Sequence, residues 1–256
     1  MASIANCENI IKMKNEHIII STLANDKIFE RFTQWLFSVL EEKRGMLTLA
    51  LSGGNTPKAL FDYWIKNHRN NVSWERVLFF WGDERCVPPT DNESNYKAAK
   101  EHLLEPLGIP KNHIFRIRGE NIPEEEAKRY AEVLVRELSH VDGMPSFDIL
   151  MLGMGDDGHT ASIFPHEIDL WKHDASCVVG THPSSGQKRV SISGRTINAA
   201  RRIVFLVTGE AKKEKVQQII EHPGESQKKY PAALVKPVDG ELFWFLDEAA
   251  AASLHL

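Results

Sequence analysis

The residues best suited to chemistry are Asp156, Asp157 and His159, which crowd into the glycine-rich part of FDILMLGMGDDGHTASIFP, residues 147–165. Imidazole is the side chain whose ordinary pKa lets it give and take protons near neutral pH. A carboxylate two residues away in a tight turn can orient it or favour its charged form. Three more polar groups are expected to join them: Ser52, Gly53, Gly54, Asn55 and Thr56 before Pro57, Asp83 and Arg85 in GDER, and Lys212 at the end of TGEAK. Two glycines ahead of a helix let backbone N–H groups converge on an anion, and the helix dipole adds favourable potential there. Taken alone, that loop reads equally well as a tight turn. Arginine and lysine can neutralise phosphate or stabilise an oxyanion as it develops.

Other chemistries fit these residues less well. Gly153, Gly155 and Gly158 match the dinucleotide pattern GxGxxG after an apolar run. Asp156 and Asp157 would set two negative charges beside the pyrophosphate, and the pattern falls past the middle of the chain, so it reads as a decoy. There is no GxSxG elbow for a serine nucleophile. Cys7, Cys86 and Cys177 are far apart with no CxxC pair, and Cys86 beside Arg85 reads as a packed, unreactive thiol. His159, His166 and His173 recur every seven residues, but Pro165 breaks the helix that would align them, so no metal site is assigned. What remains is a histidine acting on water or on a substrate carbon without a covalent step.

Each polar group follows an apolar segment of strand length. The spacing predicts strands over 17–21, 47–51, 77–81, 114–117, 147–152, 188–193, 203–207 and 243–246. Helical periodicity begins at Asn25, at Thr56 as N-cap with Pro57 following, over Tyr96–Leu104 until Pro106, over Glu124–Leu138, and from Lys212 to Glu221. Asp247 caps a last, alanine-rich helix, residues 166–187 read as irregular, and Tyr230–Lys236 as extended. Near-continuous apolar strands alternating with helices imply a three-layer Rossmann-like α/β fold, a mostly parallel sheet with helices on both faces. In such sheets ligands sit beyond the carboxyl ends of the strands, where the four polar groups are expected.

Length and charge narrow the class. With 256 residues, 42% hydrophobic and 26% charged, and no linker or repeat, the chain is expected to form a single α/β domain over residues 1–256. No apolar run approaches the ~18 residues of a membrane span, no leader pattern opens the chain, and reduced thiols fit a cytoplasmic protein. A net charge of −4 argues against nucleic acid as partner. The charge is uneven, with ten Lys and Arg against four Glu between Lys188 and Lys229, which would attract a small anion.

LSGGNTP, WGDERCVPPTDNESNY, FDILMLGMGDDGHTASIFP, TGEAK, PAALVKP and WFLDEAAA together resemble the 6-phosphogluconolactonase family, collinearly over nearly the whole chain. The resemblance implies hydrolysis of 6-phospho-D-glucono-1,5-lactone in the oxidative pentose phosphate pathway, no cofactor, and a fold related to glucosamine-6-phosphate deaminase. By it His159 activates the attacking water and Asp157 supports it. Arg85 and Lys212 hold the phosphate with the SGGNTP loop, in a monomer or homodimer. The rival is the related sugar-phosphate isomerase and deaminase group, whose motif resembles DGHIAFNEP. Phe164 stands where that group has a catalytic glutamate, while Asp83 stands where it keeps a proton-abstracting aspartate. A non-catalytic sugar-phosphate sensor is a third reading, disfavoured by the intact Asp157 and His159. Ser193-Gly194-Arg195 departs from the family's Leu-Pro-like pair; Arg195 could add an anion contact but reads better as an exposed loop arginine.

Overall fold

The computed structural model describes residues 10–13, 15–21, 25–70 and 74–255; Cys7 lies outside them. The strands are β1 (Ile10–Met13), β2 (Glu16–Ser21), β3 (Leu47–Leu51), β4 (Val77–Trp81), β5 (Asp83–Arg85), β6 (Ser139–Val141), β7 (Met144–Ser146), β8 (Ile149–Leu152), β9 (Cys177–Thr181), β10 (Lys188–Ile192), β11 (Arg202–Val207) and β12 (Glu241–Asp247). Seven form the main sheet in the order β1-β2-β12-β11-β8-β3-β4, parallel except for the edge strand β1. From β3 the chain moves outward to β4, and from β8 it moves the other way to β11 and β12. The crevice between the carboxyl ends of β3 and β8 is therefore a topological switch point, where such sheets bind ligands.

Hydrophobic burial explains the layers. Every residue of β8 is buried, as its unbroken apolar sequence requires of a central strand. Helix α1 (Asn25–Glu42) sets Phe32 and Trp35 against Phe243 and Phe245 of β12. The indole of Trp64 in α2 (Asn55–His68) donates to Thr33 of α1 at 2.8 Å. On the β4 side, the Tyr130 hydroxyl of helix Pro123–Glu137 donates to the Trp81 carbonyl and accepts its N–H, both at 2.9 Å. One buried carboxylate aligns the two strands that flank the crevice. Asp148 accepts from Lys43 at 2.7 Å and from the Thr48 N–H and hydroxyl at 3.0 Å, tying the entry of β8 to β3. Loss of one partner would strand a buried charge.

Several expectations are corrected. The strand expected over 188–193, which the spacing assigned to no sheet, ends at Ile192 and pairs antiparallel with β5 and β9 in a separate three-stranded sheet. Helix α2 starts at Asn55 with Gly54 as its N-cap, and the Thr56 hydroxyl instead bonds that of Thr208 at 2.9 Å. Pro106 does not end its helix, which continues through a π turn, Lys100–Leu104, and Glu105–Leu107 before Gly108 closes it in the left-handed region. Proline is tolerated there because it falls in the first turn of that last segment. Ile114–Ile117 makes only a bridge to Phe79. Residues 166–187 contain a 3₁₀ segment, Pro165–Lys172, and β9, while Pro231–Leu234 is 3₁₀ where extended chain is predicted. These are short elements whose form depends on what they pack against.

Candidate active site

Ser52–Thr56, Asp83, Arg85, His159 and Lys212 line one cleft of about 450 Å³ at the switch point. Four strand ends supply them. After β8 the backbone turns back on itself: Gly155 N–H donates to the His159 carbonyl, Gly158 N–H to the Gly155 carbonyl, and the Thr160 hydroxyl to the Gly153 carbonyl. The Gly155 and Gly158 amides are thus spent inside the turn, and that of His159 on Asp157, which leaves fewer N–H groups for a pyrophosphate. Its glycines serve space instead. A Cβ on Gly155 would fall 2.1 Å from His159 Nδ1, and Gly158 has φ of +82° with the Tyr230 ring against it.

That turn presents a dyad. His159 Nδ1 lies 2.6 Å from Asp157 Oδ1, which also accepts the His159 backbone N–H at 3.0 Å. Burial alone would raise the Asp157 carboxyl, but the hydrogen bonds from the His159 ring and backbone outweigh it and hold it at about 2. An ionised Asp157 only accepts, so Nδ1 carries the proton and Nε2 keeps a free lone pair for the cleft. Beneath the imidazole lies Phe164, fully buried, with ring centroids 4.6 Å apart.

The second wall is basic. Arg85 and Arg189 stand directly opposite each other on β5 and β10. Like charges so paired destabilise a sheet. Burial, and then the Arg85 charge, lower the pKa of Arg189. Arg85 donates to the Glu93 carbonyl at 2.6 Å, Arg189 lies over the Phe164 ring at 5.6 Å, and the Nε of each is buried without a partner among the described residues. Two arginines lining one cleft suit an anion. The N-terminus of α2 adds to this, with no side-chain cap and no acidic residue in its first turn.

The members of GDER separate by role. Glu84 is buried and accepts from Ser94, Arg85, Asn95 and Tyr96, so it pins the loop after β5. Asp83, also buried, accepts the Ser162 hydroxyl at 2.5 Å, and its carbonyl accepts from Asn95. Burial, then Glu84, push the Cys86 thiol up to about 11, away from the reactive thiolate form. Lys212 meets the Asp156 carboxylate. Its 3₁₀ segment follows Gly209, whose N–H donates to Asp247.

Sequence reasoning missed Arg189, Asn95 and Thr208, all of which line the cleft. For Arg189 the local excess of basic residues was a usable signal, but it singles out no residue; Arg195 stands out instead because Ser193-Gly194-Arg195 departs from the family pattern. Arg195 lies outside the cleft and pairs with the exposed Asp174 at 2.7 Å. Asn95 and Thr208 carry no signal of their own. The histidine series does not converge on a metal, and no group of three or more His, Cys, Asp or Glu among the described residues could hold one. Among the described residues no helix is long and apolar enough to cross a membrane.

Known proteins resemble this chain in sequence and in fold. The family model for glucosamine-6-phosphate isomerases/6-phosphogluconolactonase matches residues 22–244. A 6-phosphogluconolactonase of Treponema pallidum (strain Nichols) is 48% identical over 195 residues, covering 75% of this chain and 81% of that one. The solved structure of 6-phosphogluconolactonase from Trypanosoma brucei superimposes with a TM-score of 0.80 at 28% identity, covering 92% of this chain and 98% of the other. A monomeric glucosamine-6-phosphate deaminase, at 20% identity, shares the fold, with a TM-score of 0.78 and coverage of 93% and 99%.

Proposed function

The chain belongs to the glucosamine-6-phosphate isomerase/6-phosphogluconolactonase family, and from that premise we propose that it hydrolyses 6-phospho-D-glucono-1,5-lactone to 6-phospho-D-gluconate, in the oxidative pentose phosphate pathway. The observation that carries the reading is the Asp157–His159 dyad opening onto a cleft with a basic wall, with Phe164 packed beneath the imidazole. Proton transfer and anion binding are provided for. The glutamate that ring-opening deamination calls for is replaced by a buried phenyl ring.

In the mechanism, His159 Nε2 takes a proton from a water as its oxygen attacks the lactone C1 carbonyl. The carbonyl oxygen becomes an oxyanion for the lifetime of the tetrahedral intermediate. Collapse breaks the bond from C1 to the ring oxygen, and the imidazolium returns the proton to that oxygen. One water is consumed, and the product carries a carboxyl group and a free hydroxyl. Asp157 fixes the imidazole tautomer and stabilises its charged form. The phosphate binds at the Ser52–Thr56 loop and the N-terminus of α2, neutralised by Lys212, Arg85 and Arg189. Asp83, held by Ser162, accepts sugar hydroxyls. The same reading has the chain act in the cytoplasm as a monomer or homodimer.

The test is the loss of 6-phosphogluconolactone generated in situ by glucose-6-phosphate dehydrogenase. Loss above the spontaneous rate is expected, and none from folded protein would refute the proposal. Ammonia release from glucosamine 6-phosphate would instead point to the deaminase reading.

A further inference from the structure

Lys212 lines the cleft with 23% of its side chain exposed, while its partner Asp156, on the outer corner of the turn after β8, is 78% exposed. The pair is not a neighbouring-turn contact within one helix; it joins two strand-end loops 56 positions apart. One ammonium donor of the cleft is thus already engaged by a carboxylate. The two partners differ in what separation would require. Asp156 can swing into water with almost no change in solvation, whereas Lys212 cannot leave without abandoning the cleft.

We infer that Asp156 is an internal competitor for Lys212, a resident carboxylate that an incoming phosphate must displace, and that it sets how tightly the site holds phosphate. The inference rests on the lactonase reading only for the identity of the molecule that bears the phosphate. When Lys212 is free in only a fraction of molecules, apparent phosphate affinity falls by that fraction. The effect is the same for a phosphorylated substrate and its phosphorylated product, because both keep the group. It therefore raises KM and hastens product departure without touching the bond-breaking step. A phosphate carrying about −1.5 to −2 charges prevails over a carboxylate of −1.

The experiment is titration of inorganic phosphate by calorimetry into wild type, Asp156→Asn, Lys212→Met and the double variant, at one fixed low ionic strength. Asp156→Asn is expected to tighten phosphate binding by up to about fivefold, the ceiling for a partly exposed ion pair. In the Lys212→Met background the same substitution should give most of that gain no longer, since no ammonium remains to be released. Unchanged or weaker binding in Asp156→Asn would overturn the inference. So would an undiminished gain without Lys212, which would reduce the effect to removal of one negative charge. In the lactone assay KM should fall by the factor seen for phosphate. If none of the proteins hydrolyses the lactone, the functional reading fails while the phosphate titrations still decide the role of Asp156.

Discussion

Two glycine-rich turns meet over the crevice between β3 and β8, and they use their backbones in opposite ways. Ser52–Thr56 runs straight into α2 and leaves the helix N-terminus without a side-chain cap, open to an anion. The turn Gly153–His159 closes on itself, spends the Gly155 and Gly158 amides on its own carbonyls and offers a side-chain dyad instead. Glycine spacing reports only that the backbone is tight. What the freed or consumed amides do decides whether such a turn binds charge or moves protons.

The strongest test of this division is His159→Ala, expected to lower kcat by roughly 10²–10⁴-fold while KM stays near its wild-type value. Near-normal turnover in a folded variant would place the base elsewhere. Next, Lys212→Met and Arg189→Met should each raise KM for the phosphorylated lactone by about 10- to 100-fold, the loss of a charged hydrogen bond. Unphosphorylated gluconolactone should be far less affected, and Arg195→Met should change neither. Equal effects on both lactones would move these cations from phosphate to oxyanion.

Gly155→Ala probes the space the dyad needs. Its Cβ would sit 2.1 Å from His159 Nδ1 and 2.7 Å from Asp157 Oδ1. Overpacking of that kind costs about 1–3 kcal/mol. Both Tm and kcat should fall; a lower Tm with intact kcat would show the dyad can shift as a unit. The smallest expected effect concerns pH. Asp157 is depressed from 3.8 to about 2 on folding, so its stabilisation is complete above about pH 4 and is lost as pH falls through about 2. Urea unfolding should therefore give a constant gap between wild type and Asp157→Asn down to about pH 4 and a shrinking one below. The gap should be small, since the carboxylate is 41% exposed. A gap that widened in acid would contradict the assigned charge state.

The dyad was legible because Asp157 and His159 are two positions apart in a turn short enough to force contact. Asp83 and Lys212 were legible as places, at the ends of apolar strands, but not as partners of Ser162 and Asp156. Thr56 shows the limit of local rules: its hydroxyl, a good N-cap by type, is taken by Thr208, 152 positions away. Arg189 was hidden because an alternating strand does not say which sheet it joins. Only its pairing with β5 sets it opposite Arg85.

By itself the sequence determined the α/β class, the alternation of strands and helices, the contact of Asp157 with His159 and the family. The first three depend on periodicity or on neighbours a few residues apart, and the family on motifs collinear along nearly the whole chain. The tertiary structure alone decided which cations share the cleft, that the 188–192 strand pairs in a separate antiparallel sheet, and that Lys212 already holds a carboxylate. Those facts depend on strand order and register. Chain-distant groups acquire a common electrostatic field only once the sheet has brought its carboxyl ends together.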